Sequence, residues 1–537
     1  RLFVDRAGAA DPGFRMTPEV APTVTEICAR HDGIPLAIEL AAARIGHLSP
    51  AELAARLDDR FRLLTGGRRR RTQRQHTLRA AIDWSYELLS GDEAALFSRL
   101  SVFTGGFTLA AAEAVAAGET GAAGAILDLL GSLVAKSLVI AERADTGTRY
   151  RMLETIRMYA ADRLLESGET ESRRQAHCDY FLGLLEAQPL DRRATTDIPV
   201  VTAEIDNLRA AIDWAEANDR ADQALALATG MGALWTLVEL QEEGAARITA
   251  LVEHQDVDDA LRAAALAMLA TVHMARAEFR DMARSARRSL AIDPESPWAP
   301  VACTYAALYL VYNPARYEEA HHLFAEARRV ADNRGLPILA ELASAIEAHF
   351  WVIEGNFEGP VDVARSMTPC SSFADVNAGI AAVVALIISG DSATALDMAD
   401  RLLTGGGEVW RAPMRACVLA EMGRTAEAED ALRRVAAEFL DRPFPLIIGD
   451  YLIACAVLAL KASDPARAVE LLEAVVSERG QTSFRSPSAF VLWGHYYEQA
   501  RGRLDDAGYE AAKARANGVS PAEAVRREAA RLGARAD

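Results

Sequence analysis

Residues 316–331 read RYEEAHHLFAEARRVA. Tyr317, Ala320, Phe324 and Ala327 recur at steps of three and four, which lays them along one face of an α-helix. Alanines on that face let another helix approach closely, so the segment reads as the second member of a packed helix pair. Weaker copies of the pattern, each a turn residue followed by small residues at helical spacing, occur at Phe279–Ala283, Gly355–Phe357, Gly390–Asp391–Ala395, Gly423–Ala426, Asp464–Ala468 and Gly502–Ala507. The steps between them are roughly 35–40 residues, the period of stacked helix pairs. No strand signal interrupts this pattern, so residues 171–537 are predicted to form one helical repeat domain.

Working back towards the N-terminus, the pattern changes twice. Between residues 67 and 170 the spacing predicts helices over Leu78–Leu89, Asp92–Leu100, Ala110–Ala117 and Ile126–Val134. Two short β-like runs follow, Leu138–Ala141 and Arg149–Met152, with a turn at Asp145–Gly147, and then a helix over Leu153–Leu165. Helices followed by a small hairpin make a winged-helix pattern. Residues 1–66 carry short capped helices: Thr17–Pro18, Pro35 and Ser49–Pro50 each open one. The fold class is therefore mainly α: a small helical bundle, a winged helix with a short β-hairpin, then an α-solenoid.

The bulk numbers narrow the function. The chain has 537 residues, 76 acidic against 58 basic, and a net charge of −18. Such a charge opposes a general role on nucleic acid or on an anionic membrane, both of which need a positive field. The longest apolar runs, Ile380–Ile388 and Tyr451–Leu460, are too short to span a bilayer. The six cysteines form no CxxC pair. They read as buried free thiols in a reducing compartment, and the chain as cytoplasmic.

Several stretches come in a fixed order: GIPLAIELAAARI (33–45), LRAAIDWSYELL (78–89), LFSRLSVFTGGF (96–107), LVAKSLV (133–139), RYRMLETIRMYA (149–160) and EIDNLRAAIDWA (204–215). Together they resemble the STAND-type (NB-ARC-like) signal-transduction ATPases, in particular the large actinobacterial regulators of the LuxR or AfsR type. The segment 316–331 likewise resembles a tetratricopeptide helix, which makes the solenoid TPR-like. The resemblance implies an ATPase core followed by a helical subdomain, a winged helix and a repeat region. Residues 1–66 would be the end of that core and its helical subdomain. It also implies that Gly33 and Pro35, in Gly33–Ile34–Pro35, touch the adenine of ATP or ADP. The Met-His-Asp phosphate reader of the family falls on Met152–Leu153–Glu154, where leucine cannot donate a hydrogen bond; Arg149 or Arg151 would supply a charge instead.

A phosphate-binding loop needs Gly-x4-Gly-Lys-Ser/Thr, because glycines let backbone N–H groups wrap the phosphates while lysine neutralises them. Only Lys136 precedes a serine, and the two glycine positions hold Leu130 and Ala135. The loop is expected N-terminal to Arg1, and the chain is expected to be the part after the ATPase core. No cofactor and no catalytic or metal-binding residue is predicted within it, so it is not expected to be an enzyme.

Three features invite sharper readings. Arg68–Arg71 with Arg74, His76 and Arg79 form a basic cluster, read as a solvated linker or a patch facing the nucleotide core rather than a DNA contact. His321 and His322 are adjacent on a helix and point about 100° apart, so they do not converge on a metal. Tyr305, Tyr309 and Tyr312 with Trp351 are candidates to line a concave partner-binding groove. The expected function is a regulatory and sensor region. Its solenoid would bind a protein partner or small ligand, and its winged helix would relay this to the upstream ATPase core in cis, with DNA and membranes not expected as partners. The alternative is a standalone DNA-binding winged-helix regulator.

Overall fold

Five turns that join the two helices of a pair in the C-terminal part share one backbone conformation. Ala277, Gly355, Gly390, Gly423 and Ser463 all have φ between 58° and 84°. At each, the next residue's N–H reaches back to the carbonyl five residues earlier. Glu278 bonds to His273, Asn356 to Trp351, Asp391 to Leu386, Arg424 to Leu419 and Asp464 to Ala459, all at 2.8–2.9 Å. This is the Schellman closure, which satisfies the last carbonyls of one helix while turning the chain. The residue after the turn often starts the next helix as well: the side chains of Asn356, Asp391 and Asp464 accept from N–H groups three residues on, at 3.0–3.1 Å. One short segment thus ends a helix, reverses the chain and opens its partner.

This computed structural model describes the chain apart from residues 1, 12, 30–37, 39–41, 43–44, 46–47, 56–81, 83–85, 88, 117–122, 137, 145–146, 191–198, 237–239, 368–372, 403–407, 442–447, 476–486 and 534–537. By packing, the chain divides into two units. One is Arg1–Leu184 with Ala203–Asn218; the other is Leu185–Thr202 with Asp219–Asp537. The division by packing thus falls later than the change of pattern at residue 170.

In the first unit, the helices Leu2–Ala10, Ala21–Ala29 and Pro50–Ala55 enclose a small core that includes Phe3, Ala7, Val24, Ile27 and Leu53. Ser49 and Glu52 exchange a capping box at the last of these. The winged helix follows. Its helices are Gly91–Arg99, Leu109–Ala116 and Ala123–Ala135, each within three residues of the predicted bounds. Ser90 and Glu93 form a full capping box at the first. Strands β1 (Phe107–Thr108), β2 (Ile140–Ala144) and β3 (Gly147–Arg151) form an antiparallel sheet in the order β1-β3-β2. The hairpin was legible in sequence; β1 is too short to show an alternating pattern. Leu96, Phe97, Leu100, Phe103, Phe107, Leu130, Leu133 and Tyr159 are buried here.

The second unit is built of antiparallel helix pairs, with no strand among its described residues. The first helices of successive pairs, Asp259–Ala275, Ala299–Leu308, Pro337–Ile353, Phe373–Ser389, Glu408–Glu421 and Ile448–Lys461, pack against one another in sequence. The second helices, Phe279–Ile292, Tyr317–Asn333 and those that follow, lie outside them. Every residue of Ala299–Leu308 is buried, as is every residue from Ile448 to Leu460. A helix apolar on all sides is one enclosed on all sides. Part of the enclosure comes from Pro487–Arg501, which packs on its neighbours and also on Pro337–Ile353 and Phe373–Ser389, more than a hundred residues earlier. Four of the five described cysteines, Cys178, Cys303, Cys417 and Cys455, are buried free thiols, and Cys28 is partly so.

The turn chemistry makes a two-sided prediction. Ala277 and Ser463 hold a conformation that a Cβ disfavours by about 1–2 kcal/mol, whereas glycine reaches it freely. Gly423→Ala should therefore lower the unfolding free energy by about 1 kcal/mol or more. Ala277→Gly and Ser463→Gly should leave it unchanged or raise it, by up to about 1 kcal/mol once the extra freedom of the unfolded chain is counted. Urea titrations of the three variants check both signs.

Candidate functional site

The first unit contains a polar junction assembled from two of the quoted motifs, TGG at 104–106 and EIDN at 204–207. Asn207 lies at the start of the helix Ile205–Ala217 and has no exposed surface. Its Oδ1 accepts from the Thr104 N–H at 2.8 Å. Its Nδ2 donates to the Gly106 carbonyl at 2.7 Å and to Glu204 Oε2 at 2.7 Å. The amide thus spends its acceptor and both donors on one turn and one carboxylate.

The turn can take this position only as glycines. A Cβ on Gly105 would lie 2.8 Å from Asp206 Cβ, and one on Gly106 would lie 2.9 Å from the Tyr150 carbonyl. Gly106 also has φ +88°, in the region that favours glycine.

The wing joins the same junction. Arg149 on β3 forms an ion pair with Glu204, which is only 5% exposed, and donates to the Ala203 carbonyl at 3.3 Å. A buried carboxylate is retained only with such partners. Arg151, two residues on, pairs with Glu142 on the neighbouring strand at 2.7 Å. The two arginines that the resemblance offered as phosphate contacts are therefore engaged within the wing and its junction.

His177 closes the junction from the helix Thr170–Glu186. Its ring lies tilted against those of Phe181 and Phe103, with centroids 4.7 and 5.3 Å away, and its Nε2 is 3.5 Å from Asn207 Oδ1. Burial pushes its imidazole down to about 4, against the opposing effect of the Asn207 contact, with the Arg174 charge adding to the depression. On the far side of the winged helix, Arg99 reaches Glu169, just past the Gly168 turn, through two hydrogen bonds at 2.7 and 3.0 Å. Glu169 also pairs with Arg173 at 3.3 Å. The break at Ser167–Gly168 is thus bridged on both sides.

In a helix-turn-helix the second helix is the one that enters the DNA major groove. Here that position is taken by Ala123–Ala135, AGAILDLLGSLVA, which contains no lysine or arginine. Its exposed residues include Leu127, at 48%, and Asp128. Lys136, just beyond it, is held by both oxygens of Glu93 at 2.7 Å. Hydrogen bonds from Lys136 and Ser132 and from the Ser90 backbone hold the Glu93 carboxyl down at about 2.

The other candidates disperse. Gly33 and Pro35 lie outside the described residues, as does the arginine cluster of 68–79. Tyr305 does not line a groove: it is buried, its hydroxyl bonds to Thr271, and burial pushes it up to about 12. The helical spacing that placed it with Tyr309 is real, but the helix carrying it is enclosed on every face. The side chain of Tyr312 lies outside the described ones. Trp351 rests on Gly359, where a Cβ would come within 2.8 Å of the ring. Among the described members of the group, Tyr309 is the one that is substantially exposed, at 36%. His321 bridges two helices, with Nδ1 2.7 Å from Glu347 and Nε2 3.0 Å from Glu354. Burial opposes its charged form, but these bonds outweigh it and raise the imidazole above its ordinary value. Among the described residues no group of three or more His, Cys, Asp or Glu could hold a metal ion, and no helix is long and apolar enough to cross a membrane.

Residues 89–165 match the winged helix-turn-helix domain family. Over 273 residues the chain is 46% identical to proteins of Mycobacterium tuberculosis and Mycobacterium bovis whose names assign them provisionally to the HTH-type transcriptional regulators. That alignment takes in 50% of this chain and 31% of theirs. An uncharacterized Mycobacterium tuberculosis protein is also 46% identical, over 172 residues, or 32% of this chain and 44% of that one. Among solved structures, a STAND protein with a tetratricopeptide repeat sensor from Pyrococcus horikoshii aligns with 90% of this chain and 74% of its own, at a TM-score of 0.41 and 13% identity. The winged helix and the relationship to transcriptional regulators agree with the resemblance carried by the sequence motifs.

Two outcomes test the junction. Asn207→Leu keeps the volume but leaves the Thr104 N–H, the Gly106 carbonyl and Glu204 without their partner. It should cost about 2–3 kcal/mol in unfolding free energy, measured by chemical denaturation. His177 has a folded pKa below its unfolded one, so the unfolded chain takes up the proton first. Its contribution to stability should be intact above about pH 6.5 and be lost progressively as the pH falls towards about 4. An NMR titration should find the His177 ring still neutral at pH 5.5; half-protonation at or above that pH would contradict the burial argument.

Proposed function

We propose that this chain is a non-catalytic regulatory region of a STAND-type regulator. Its repeat unit binds a protein partner or small ligand, and its winged helix relays that event to a nucleotide-binding core in cis. The observation that carries the reading is the state of the winged helix. Its groove-entering helix has no free positive charge, and its wing is tied by Arg149, Glu204 and Asn207 to a helix 50 residues further along the chain. Phosphate contacts supply most of the affinity of a DNA-binding module. A helix that offers Leu127 and Asp128 to its surroundings suits a protein surface better.

Control of transcription or signalling is the context that the relatives' names support. Those names also favour the second reading, in which the winged helix itself binds DNA. On the reading proposed here, ATP and ADP would be bound by the core, with Gly33 and Pro35 contributing from this chain.

The purified chain should turn over no ATP above buffer and should not retard a 30-base-pair duplex in about 50 mM salt, a concentration at which basic DNA-binding domains bind even non-specifically. Hydrolysis lost on changing a residue of this chain would sink the non-catalytic reading. Retardation lost on Arg143→Ala, in the exposed part of the wing, would favour the DNA reading.

A further inference from the structure

The helix Phe279–Ile292, on the outside of the repeat unit, exposes five residues: Arg280, Arg284, Arg287, Arg288 and Ala291. Its other face is buried through Met282, Ala283, Ser285, Ala286 and Ser289. In a chain of net charge −18, a helix that exposes four arginines against one partly exposed carboxylate, Asp281, stands apart. The four arginines, with Tyr309 from the following pair, line an open cleft of about 530 Å³. Eight residues of helix separate Arg280 from Arg288, a row about 12 Å long.

We propose that this cleft is a docking site for an acidic, carboxylate-rich segment of a partner protein. The inference rests on the partner-binding reading above and names the chemistry of the partner.

Three observations carry it. Pro487–Arg501 packs on three of the inner helices, Pro337–Ile353, Phe373–Ser389 and Ile448–Lys461, and so covers that part of the face that a solenoid ligand would ordinarily fill. The arginines already show carboxylate recognition within the chain: Arg284 meets Asp281 at 2.7 Å, Arg288 meets Glu253 at 2.7 Å and Arg287 approaches Glu319 at 3.9 Å. These pairs are solvent-exposed, and exposed pairs contribute only about 0–1 kcal/mol each. An incoming carboxylate can take the place of one at little cost, and the guanidinium fork fits it in two-toothed fashion.

The length of the row and its surroundings favour a peptide over a nucleic acid. About 12 Å matches roughly four residues of extended chain. A nucleic acid draws its affinity from phosphate contacts over a longer positive track than these four arginines provide, whereas a short acidic segment need not extend past the row. In a chain of net charge −18, an acidic partner is repelled by most of the surface and attracted by a local row of arginines such as this one.

The test uses fluorescein-labelled octaglutamate as probe, followed by anisotropy in about 50 mM salt, with the wild-type chain and two variants. Arg284→Glu/Arg287→Glu/Arg288→Glu should weaken binding at least tenfold. Arg526→Glu/Arg527→Glu, on the last helix, where both arginines are about as exposed, should change it less than twofold. Wild-type binding should weaken steeply between 50 and 200 mM salt. A milder Arg284→Gln/Arg287→Gln variant, with its melting curve unchanged, guards against loss of fold and should weaken binding at least threefold.

Absence of wild-type binding overturns the proposal, as does equal binding by the reversal variant. A labelled octathymidylate bound tenfold more tightly than octaglutamate overturns it in favour of nucleic acid. If the reversal variant retains the same protein from a cell lysate as the wild-type chain, the partner-binding function stands and the acidic-segment site falls.

Discussion

Five of the helix pairs of the repeat unit depend on one backbone constraint: a single residue held at positive φ at the end of a helix, with the following N–H bonded back across the turn. At Ala277, Gly355, Gly390, Gly423 and Ser463 this closure fixes where one helix stops and how its partner leaves. Where the turn recurs the two helices of a pair leave it in the same way, and the first helices of successive pairs lie side by side. Burial then follows from position. Ala299–Leu308, and Ile448–Lys461 up to Leu460, are almost wholly apolar because neighbours cover them all round.

How far this could be read from the sequence depends on which part of the constraint leaves a mark in residue type. Gly355, Gly390 and Gly423 announce their turns, since glycine is the residue that reaches positive φ without strain. Ala277 and Ser463 do the same work with a Cβ attached, and nothing in their identity says so; only the period of the pairs places them. The helix faces were legible for the same local reason, since Tyr317, Ala320, Phe324 and Ala327 carry their own spacing. What is not local was lost. Tyr305, Tyr309 and Trp351 show helical or aromatic patterning, but whether such a face meets solvent is decided by the helices of neighbouring pairs, as Thr271 on the preceding pair does for Tyr305.

The junction in the winged-helix unit makes the same point at the level of single hydrogen bonds. The motif around Asn207 was recognisable as a string, yet its role lies in a pairing with Thr104 and Gly106, a hundred residues away. A hint existed: an asparagine and a glutamate three residues apart at the start of an apolar helix are expensive to bury unless both are partnered. The spacing named a pair in need of partners without naming them. Arg149 illustrates the converse. A positive charge on a wing invites a phosphate reading, and only the position of Glu204 decides what it meets.

Charge placement separates what the two units can do. In the winged helix, two of the positive groups are matched by carboxylates of low exposure: Arg149 by Glu204, and Lys136 by Glu93. Displacing Glu204 or Glu93 would leave a largely buried carboxylate uncompensated, which costs several kcal/mol. In the helix Phe279–Ile292 the matching carboxylates, Asp281 and Glu253, are well exposed, and water can take over when they let go. The same residue types therefore make a fixed joint in one place and an exchangeable surface in the other. The difference lies in the solvation of the acid rather than in the arginine. A regulator needs both kinds of contact: one that keeps its shape when a partner arrives, and one whose partners can be exchanged.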